Sequence, residues 1–252
     1  MASFASETIL TVGVIKITNT VLNTLLVDTA LIGTAVYFSK RLKKIPALFQ
    51  NAIESLIEVF YSLIESVAKD RVKKIFPFVM TFFLFILIAN LSGLLPGVGS
   101  IGFFEHNGEH EKQLIPFLRP TTSDLNSTLA LALVSAFATH IIAINTIGIK
   151  HYLGRYLSLN PMHLFIGILE IISEITKVVS LSFRLFGNIF AGEVVLMTVS
   201  SIFAVLLPVP FLMLEVIVGL VQALVFAMLT MVFMAILSTP HHQEAKSGEE
   251  VD

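Results

Sequence analysis

Arg184 stands inside an apolar run, Leu181-Ser182-Phe183-Arg184-Leu185-Phe186-Gly187-Asn188, and the nearest acids in the chain are Glu174 and Glu193. A guanidinium does not give up its proton in a protein, so this residue stays charged wherever the fold puts it. At the centre of a bilayer that charge costs about 2.5 to 3.5 kcal/mol on insertion scales, and about 10 to 17 kcal/mol in simulations of an isolated helix. A carboxylate or a water-filled path must offset such a cost. Either one makes Arg184 a candidate for handling ions rather than for packing.

On a helical wheel of about 100° per residue, Glu170, Ser173, Lys177, Ser180 and Asn188 fall within about 40° of Arg184. Each of these would need water or a partner if it faced lipid, so the stripe implies a polar path along one face. Helix-to-helix hydrogen bonding is the plainer alternative, and it suits Ser173 and Ser180 better than it suits Glu170 and Arg184. Glu174 lies off the stripe but within i,i+3 reach of Lys177. Glu193 falls about 180° from Arg184 and must see other surroundings. Near the end of the chain Glu215 and Gln222 share a helix face with Gly219 between them, and a glycine there lets a neighbouring helix approach closely. Glu193 and Glu215, expected on separate helices with no basic residue near either, suit protonatable stations of a proton relay; the alternative is a pair of protonated structural acids.

Elements that would hold these residues follow from composition. Of the 252 residues 55% are hydrophobic and only 13% charged, against about 25% charged in soluble domains, so the chain is expected to be an integral membrane protein forming a single membrane domain (1–252). It has 21 Phe and no Trp or Cys, which excludes disulfides and thiolate metal sites. The net charge of −2 gives no long-range attraction to nucleic acid. The amino terminus shows neither a signal peptide nor an Arg-rich presequence.

The first apolar stretch, Ile9 to Phe38 (span 1–39), ends at Lys40-Arg41-Leu42-Lys43-Lys44, a basic cluster of the kind found on cytoplasmic faces. Residues 46–70 are amphipathic, with Glu54, Glu58 and Glu65 on one face, and are expected to lie on the membrane surface before a second basic cluster at Lys69, Arg71, Lys73 and Lys74. A second span is expected over 76–95, a polar loop on the opposite side over 97–123, and a third span over 124–149, with Lys150 to Arg155 back on the basic side. From Met162 to Leu207 the chain is almost wholly apolar and has no proline. As one helix it would extend roughly 70 Å, more than twice the roughly 30 Å of hydrocarbon. Either it folds into two spans or one helix lies very oblique; a last helix follows after Pro208-Val209-Pro210, and 239–252 is a polar tail. No internal repeat of the kind common in secondary transporters is visible.

Other signals carry less. Gly97-Val98-Gly99-Ser100-Ile101-Gly102 fits a dinucleotide pattern but opens no βαβ unit. His106, His110 and His241-His242 have metal-ligand chemistry, yet loop and tail solvation explains them more simply.

The run Ser182-Phe183-Arg184-Leu185-Phe186-Gly187-Asn188-Ile189-Phe190-Ala191-Gly192-Glu193 resembles the signature of subunit a of F-type ATP synthases. Pro120-Thr121-Thr122-Ser123-Asp124-Leu125-Asn126, Leu169-Glu170, Lys177, Glu215 and Leu220-Val221-Gln222-Ala223 stand in that family's order and spacing, and the resemblance covers nearly all of Thr24 to Ser238. It implies an all-α polytopic membrane protein with one surface amphipathic helix and a long, strongly tilted C-terminal hairpin of helices, 160–207 and 211–238. It further implies a non-enzymatic stator forming two offset half-channels, with ATP chemistry on other subunits. The partners would be a ring of c subunits, the b subunits of the peripheral stalk and the bilayer. Protons, or sodium in their place, would be the only small substrate, with no cofactor, metal or nucleic acid.

By the same resemblance Arg184 faces the ring carboxylate and separates the half-channels. Glu193, Glu215, Asn188 and Gln222 lie by one half-channel with Asp124 and Asn126 near its mouth, and Glu170, Ser173 and Lys177 line the other. Glu174 and His140 match no hallmark of the family. The implied location is a bacterial plasma (inner) membrane, multi-pass with a cytoplasmic C-terminus, ahead of an organellar inner membrane. A proton crossing 100 mV yields about 2.3 kcal/mol, so ATP synthesis needs several protons per ATP and a gate that does not leak. A residue that never deprotonates suits that gate better than lysine would. The rival reading is a secondary transporter holding an anion at Arg184, and a second is a non-conducting assembly subunit.

Overall fold

The structure is a computed structural model that describes residues 7–12, 15–43, 48–95, 101–106, 112–156, 161–202 and 208–239. The polar tail from 240 onward lies outside these residues, as do His110, His241-His242 and the side chain of His106. The described chain is all-α apart from two short hairpins, and five of its helices are long and apolar enough to cross a membrane.

The first span is shorter than its apolar run. β1 (Thr8–Val12) and β2 (Ile15–Thr18) pair antiparallel, and α1 begins only at Asn19 and runs to Arg41. Thr8, Ile9, Thr11, Val12, Ile15, Ile17 and Thr18 explain the difference, since β-branched side chains fit a pleated ribbon better than a helix. The amphipathic segment is α2 (Leu48–Ala68), which turns through a single 3₁₀ turn, Lys69–Arg71, into α3 (Val72–Gly93). Its buried residues Phe60 and Ile64 pack on α3, where the rings of Phe60 and Phe83 are 4.6 Å apart. The opposite-side loop is also not wholly irregular, because β3 (Gly102–His106) and β4 (Lys112–Pro116) form a second antiparallel hairpin within it.

A 3₁₀ turn at Thr121–Ser123 leads into α4 (Leu125–Ile147). Asp124 caps α4 by accepting from the Asn126 amide at 3.0 Å, which satisfies one of the free N–H groups at the helix start. Gly148, at φ 86°, ends it and turns the chain into the short α5 (Ile149–Tyr156). α6 (Pro161–Ile202) is one uninterrupted helix, and α7 (Pro208–Leu237) follows. The stretch that could have made two spans therefore makes one. At 1.5 Å per residue α6 is about 63 Å long, twice the hydrocarbon thickness, so it can lie in a bilayer only steeply tilted.

α3 packs on α7, α4 on α6, and α6 on α7. The apolar core gathers Ile64, Ile75, Val79, Phe83, Ile86, Leu185, Phe226 and Met234 at their junction. α6 is widely exposed: Phe165, Ile172, Ile175 and Phe183 are all more than half exposed. Such a long apolar face fits lipid or another apolar chain and would be costly in water.

Side-chain bonds fix the two ends of the helical layer. At one end Asn23 donates to Ser92 and Thr121, and Thr20 donates to Asp124. At the other, Arg71 donates to Thr239 at 3.1 Å, tying the α2–α3 corner to the end of α7.

Candidate functional site

Arg184 projects from α6 into an open groove of about 410 Å³ lined by Ser173, Lys177, Ser180 and Arg184, with Leu229 and Phe233 of α7 forming its far wall. The 3.6-residue period of α6 brings these side chains to one face. Arg184 itself is exposed, and among the described residues no carboxylate stands within ion-pair distance of it. Glu170 is not part of the groove wall. It lies toward Tyr156, whose hydroxyl is held protonated first by burial, then by its hydrogen bond with Tyr152 and by the negative charges of Glu170 and Glu174.

Lys177 donates to Glu174 Oε1 at 2.8 Å, the i,i+3 pair expected from their spacing. His140, on α4, approaches the other Glu174 oxygen to 4.0 Å. This cluster faces the end of the layer where α5 docks on α6.

A second polar cluster occupies the other end. Asn188 donates to Gln222 at 2.6 Å, bridging α6 and α7. Glu215 is buried on α7 and its Oε2 has no hydrogen-bond partner among the described residues. A β-carbon placed on Gly192 would stand 2.6 Å from Glu215 Oε1, so the bare backbone at Gly192 is what lets this carboxylate reach α6. Gly219 serves close approach in the same way: Asn90 of α3 donates to its carbonyl at 2.9 Å and accepts from Thr122 at 2.6 Å. Asp124 is buried as a helix cap, while Asn126 beside it is exposed.

Glu193 corrects one expectation. It is not free of basic neighbours, because Arg119 Nη2 donates to Glu193 Oε2 at 3.3 Å, while Arg119 Nε donates to Ser123 at 3.1 Å. Arg119 escaped notice because it lies far from Glu193 in sequence. One sign of it was available. A lone arginine between Leu118 and Pro120, on the side opposite the basic clusters, runs against the usual charge asymmetry and calls for a partner.

The two clusters thus sit toward opposite ends of α6, with the unpaired charge of Arg184 between them. The family model for the ATP synthase A chain matches residues 21–235. The chain belongs to this family. Among curated proteins, ATP synthase subunit a 2 of Pelobacter propionicus is 38% identical over 78% of this chain and 76% of its own length. ATP synthase subunit a of Moorella thermoacetica is 33% identical over 88% of this chain and 92% of its own length, and that of Geotalea daltonii 35% over 83% of each. As a member of the ATP synthase A chain family, this is a multi-pass membrane protein. Family membership covers both ends of α6 and the whole of α7 up to Ala235.

Proposed function

We propose that the chain is the proton-carrying stator subunit of a bacterial rotary ATP synthase, forming two offset half-channels against a ring of c subunits and holding no ATP chemistry of its own. The observation that carries this reading is the position of Arg184, exposed and unpaired between two separate polar clusters. A fixed cation facing a ring would keep each passing ring carboxylate ionised and would repel a proton from crossing directly between the clusters.

The Asn188–Gln222, Glu215 and Glu193–Arg119 groups form the half-channel at the end where Asp124 caps α4, with Asn126 at its exposed mouth. The groove of Ser173, Lys177 and Ser180 forms the other, opening toward the cytoplasmic side, where Glu170 lies near its end. The exposed apolar face of α6 is the surface for the ring, the b subunits of the peripheral stalk complete the stator, and the C-terminus is cytoplasmic.

Reconstitution of the complex carrying Arg184→Ala tests the reading. ATP synthesis driven by an imposed proton gradient should be lost while the complex still assembles. Coupled synthesis at the unaltered rate would overturn it.

A further inference from the structure

Behind the groove, α4, α5 and α6 gather titratable side chains that the proton path as proposed does not use. Lys177 Nζ is held by Glu174 Oε1 at 2.8 Å and lies 4.9 Å from the centre of the Phe233 ring. Glu174 Oε2 is 4.0 Å from His140 Nε2, and His140 Nδ1 is 2.7 Å from the Tyr152 hydroxyl. Lys177 lines both the open groove and a narrower cleft of about 10 Å³ next to it, whereas Glu174 lines the narrower cleft alone. The carboxylate therefore sits behind the lysine, away from the path.

We propose that Glu174 is a positioning residue for proton passage: it holds the Lys177 ammonium and cancels its charge, leaving Arg184 as the only net charge among the described residues that line the groove. Among the described residues, Arg184 and Lys177 are the only charged ones that line the groove. They stand about two turns apart on one face, roughly 10 Å. With both charges uncompensated, a proton between them would meet repulsion from either side. At an effective dielectric of about 20, one added unit charge some 10 Å away lowers proton occupancy by about an order of magnitude.

A chain of contacts flanks the carboxylate. Tyr152 is bonded to the His140 ring, and His140 Nε2 comes within 4.0 Å of the Glu174 oxygen that Lys177 does not hold. α5, which carries Tyr152, can dock there because Gly167 of α6 has no side chain: a β-carbon at 167 would collide with the Tyr156 backbone. Pairing Glu174 with Lys177 serves a purpose that Glu174 alone would not, since a bare carboxylate on the path would trap the proton instead of passing it on.

This inference rests on the groove being a proton path. Its test uses the reconstituted complex and the initial rate of ATP synthesis under an imposed proton gradient, per assembled complex. Glu174→Gln should lower the rate about tenfold, and Glu174→Asp, which keeps the charge, should recover most of it. In a Lys177→Gln background the further change Glu174→Gln should cause no added loss, because no cation remains to be neutralised. An unaltered rate in Glu174→Gln would overturn the inference. So would an equal loss in both backgrounds, which would mark Glu174 as a purely structural residue. Arg184→Ala, measured alongside, separates the two claims: coupled synthesis in that variant sinks the proton-path reading itself, whereas its loss beside a normal Glu174→Gln rate removes only the role of Glu174.

Discussion

Arg119 and Glu193 join the segment before α4 to the C-terminal part of α6 through a bond of 3.3 Å, and Ser123 braces the arginine from its other side. Arg119 is buried and the Glu193 side chain is 17% exposed. Removing the guanidinium leaves the carboxylate without its donor, which costs about 1 to 3 kcal/mol. About 1.4 kcal/mol is tenfold in a rate. Arg119→Gln is therefore expected to slow gradient-driven ATP synthesis about tenfold while the complex assembles. Arg119→Gln combined with Glu193→Gln should lose less than the sum of the two single changes, as partners in one bond do. Strict additivity in the rates would show that the bond does not act in conduction.

Gly192 and Glu215 make a sharper steric case. An alanine at 192 would put its β-carbon 2.6 Å from Glu215 Oε1, so the carboxylate must swing away or α7 must shift. Overpacking of this kind costs about 1 to 3 kcal/mol. Gly192→Ala should cut the rate of coupled synthesis to a few per cent of normal by about the same arithmetic. Shortening the acid in the same chain, with Glu215→Asp, should restore part of it by withdrawing the carboxylate from the new methyl. No recovery in the double variant would mean that Gly192 is needed for something other than room for Glu215.

How much of this was legible beforehand depends on how local each relationship is. The stripe of Glu170, Ser173, Lys177, Ser180 and Asn188 around Arg184 needs only the period of one helix; Ser173, Lys177, Ser180 and Arg184 line the groove in the structure, whereas Glu170 and Asn188 are not part of its wall. The i,i+3 contact of Glu174 with Lys177 is equally local. Whether Met162 to Leu207 made one helix or two was not decidable from the residues alone, because an apolar run free of proline satisfies both; the single helix reaches Ile202. Pairings across elements left almost no trace. Arg119 with Glu193, and His140 with Glu174, depend on how helices cross, and no local pattern of sequence encodes a crossing. The β1–β2 hairpin leaves a fainter sign: its hydrophobic content suits a helix as well, and only the β-branching of the residues that supply it favours a strand.

Asn90 offers a prediction about stability rather than rate. It is buried, donates to the Gly219 carbonyl and accepts from Thr122, so one carboxamide ties α3 to α7 and to the turn before α4. Asn90→Leu keeps the number and branching of side-chain heavy atoms but leaves the Thr122 hydroxyl and the Gly219 carbonyl without their partner. Each such orphan costs about 1 to 3 kcal/mol. Thermal dissociation of the detergent-solubilised complex should move down by several degrees, and Thr122→Val should move it less because the Asn90 bond to the Gly219 carbonyl remains. Equal shifts for the two variants would show that the Gly219 bond contributes nothing.

The absence of native cysteine makes side-specific labelling the direct test of two separate paths. Ser173 lies in the groove and Asn126 is exposed at the start of α4, and the two are held at opposite ends of the layer by α4 and α6. A cysteine at Ser173 should react with a membrane-impermeant thiol reagent added from the cytoplasmic side only, and a cysteine at Asn126 from the opposite side only. A thiol reacts as its thiolate, so labelling requires water at the site and not merely space. If one continuous channel ran through the subunit, either cysteine would label from both sides. One-sided labelling at each position, together with loss of coupling in Arg184→Ala, would leave the charge of Arg184 as the barrier between the two waters, since among the described residues the only other charged side chain lining that groove is Lys177, which is paired with Glu174.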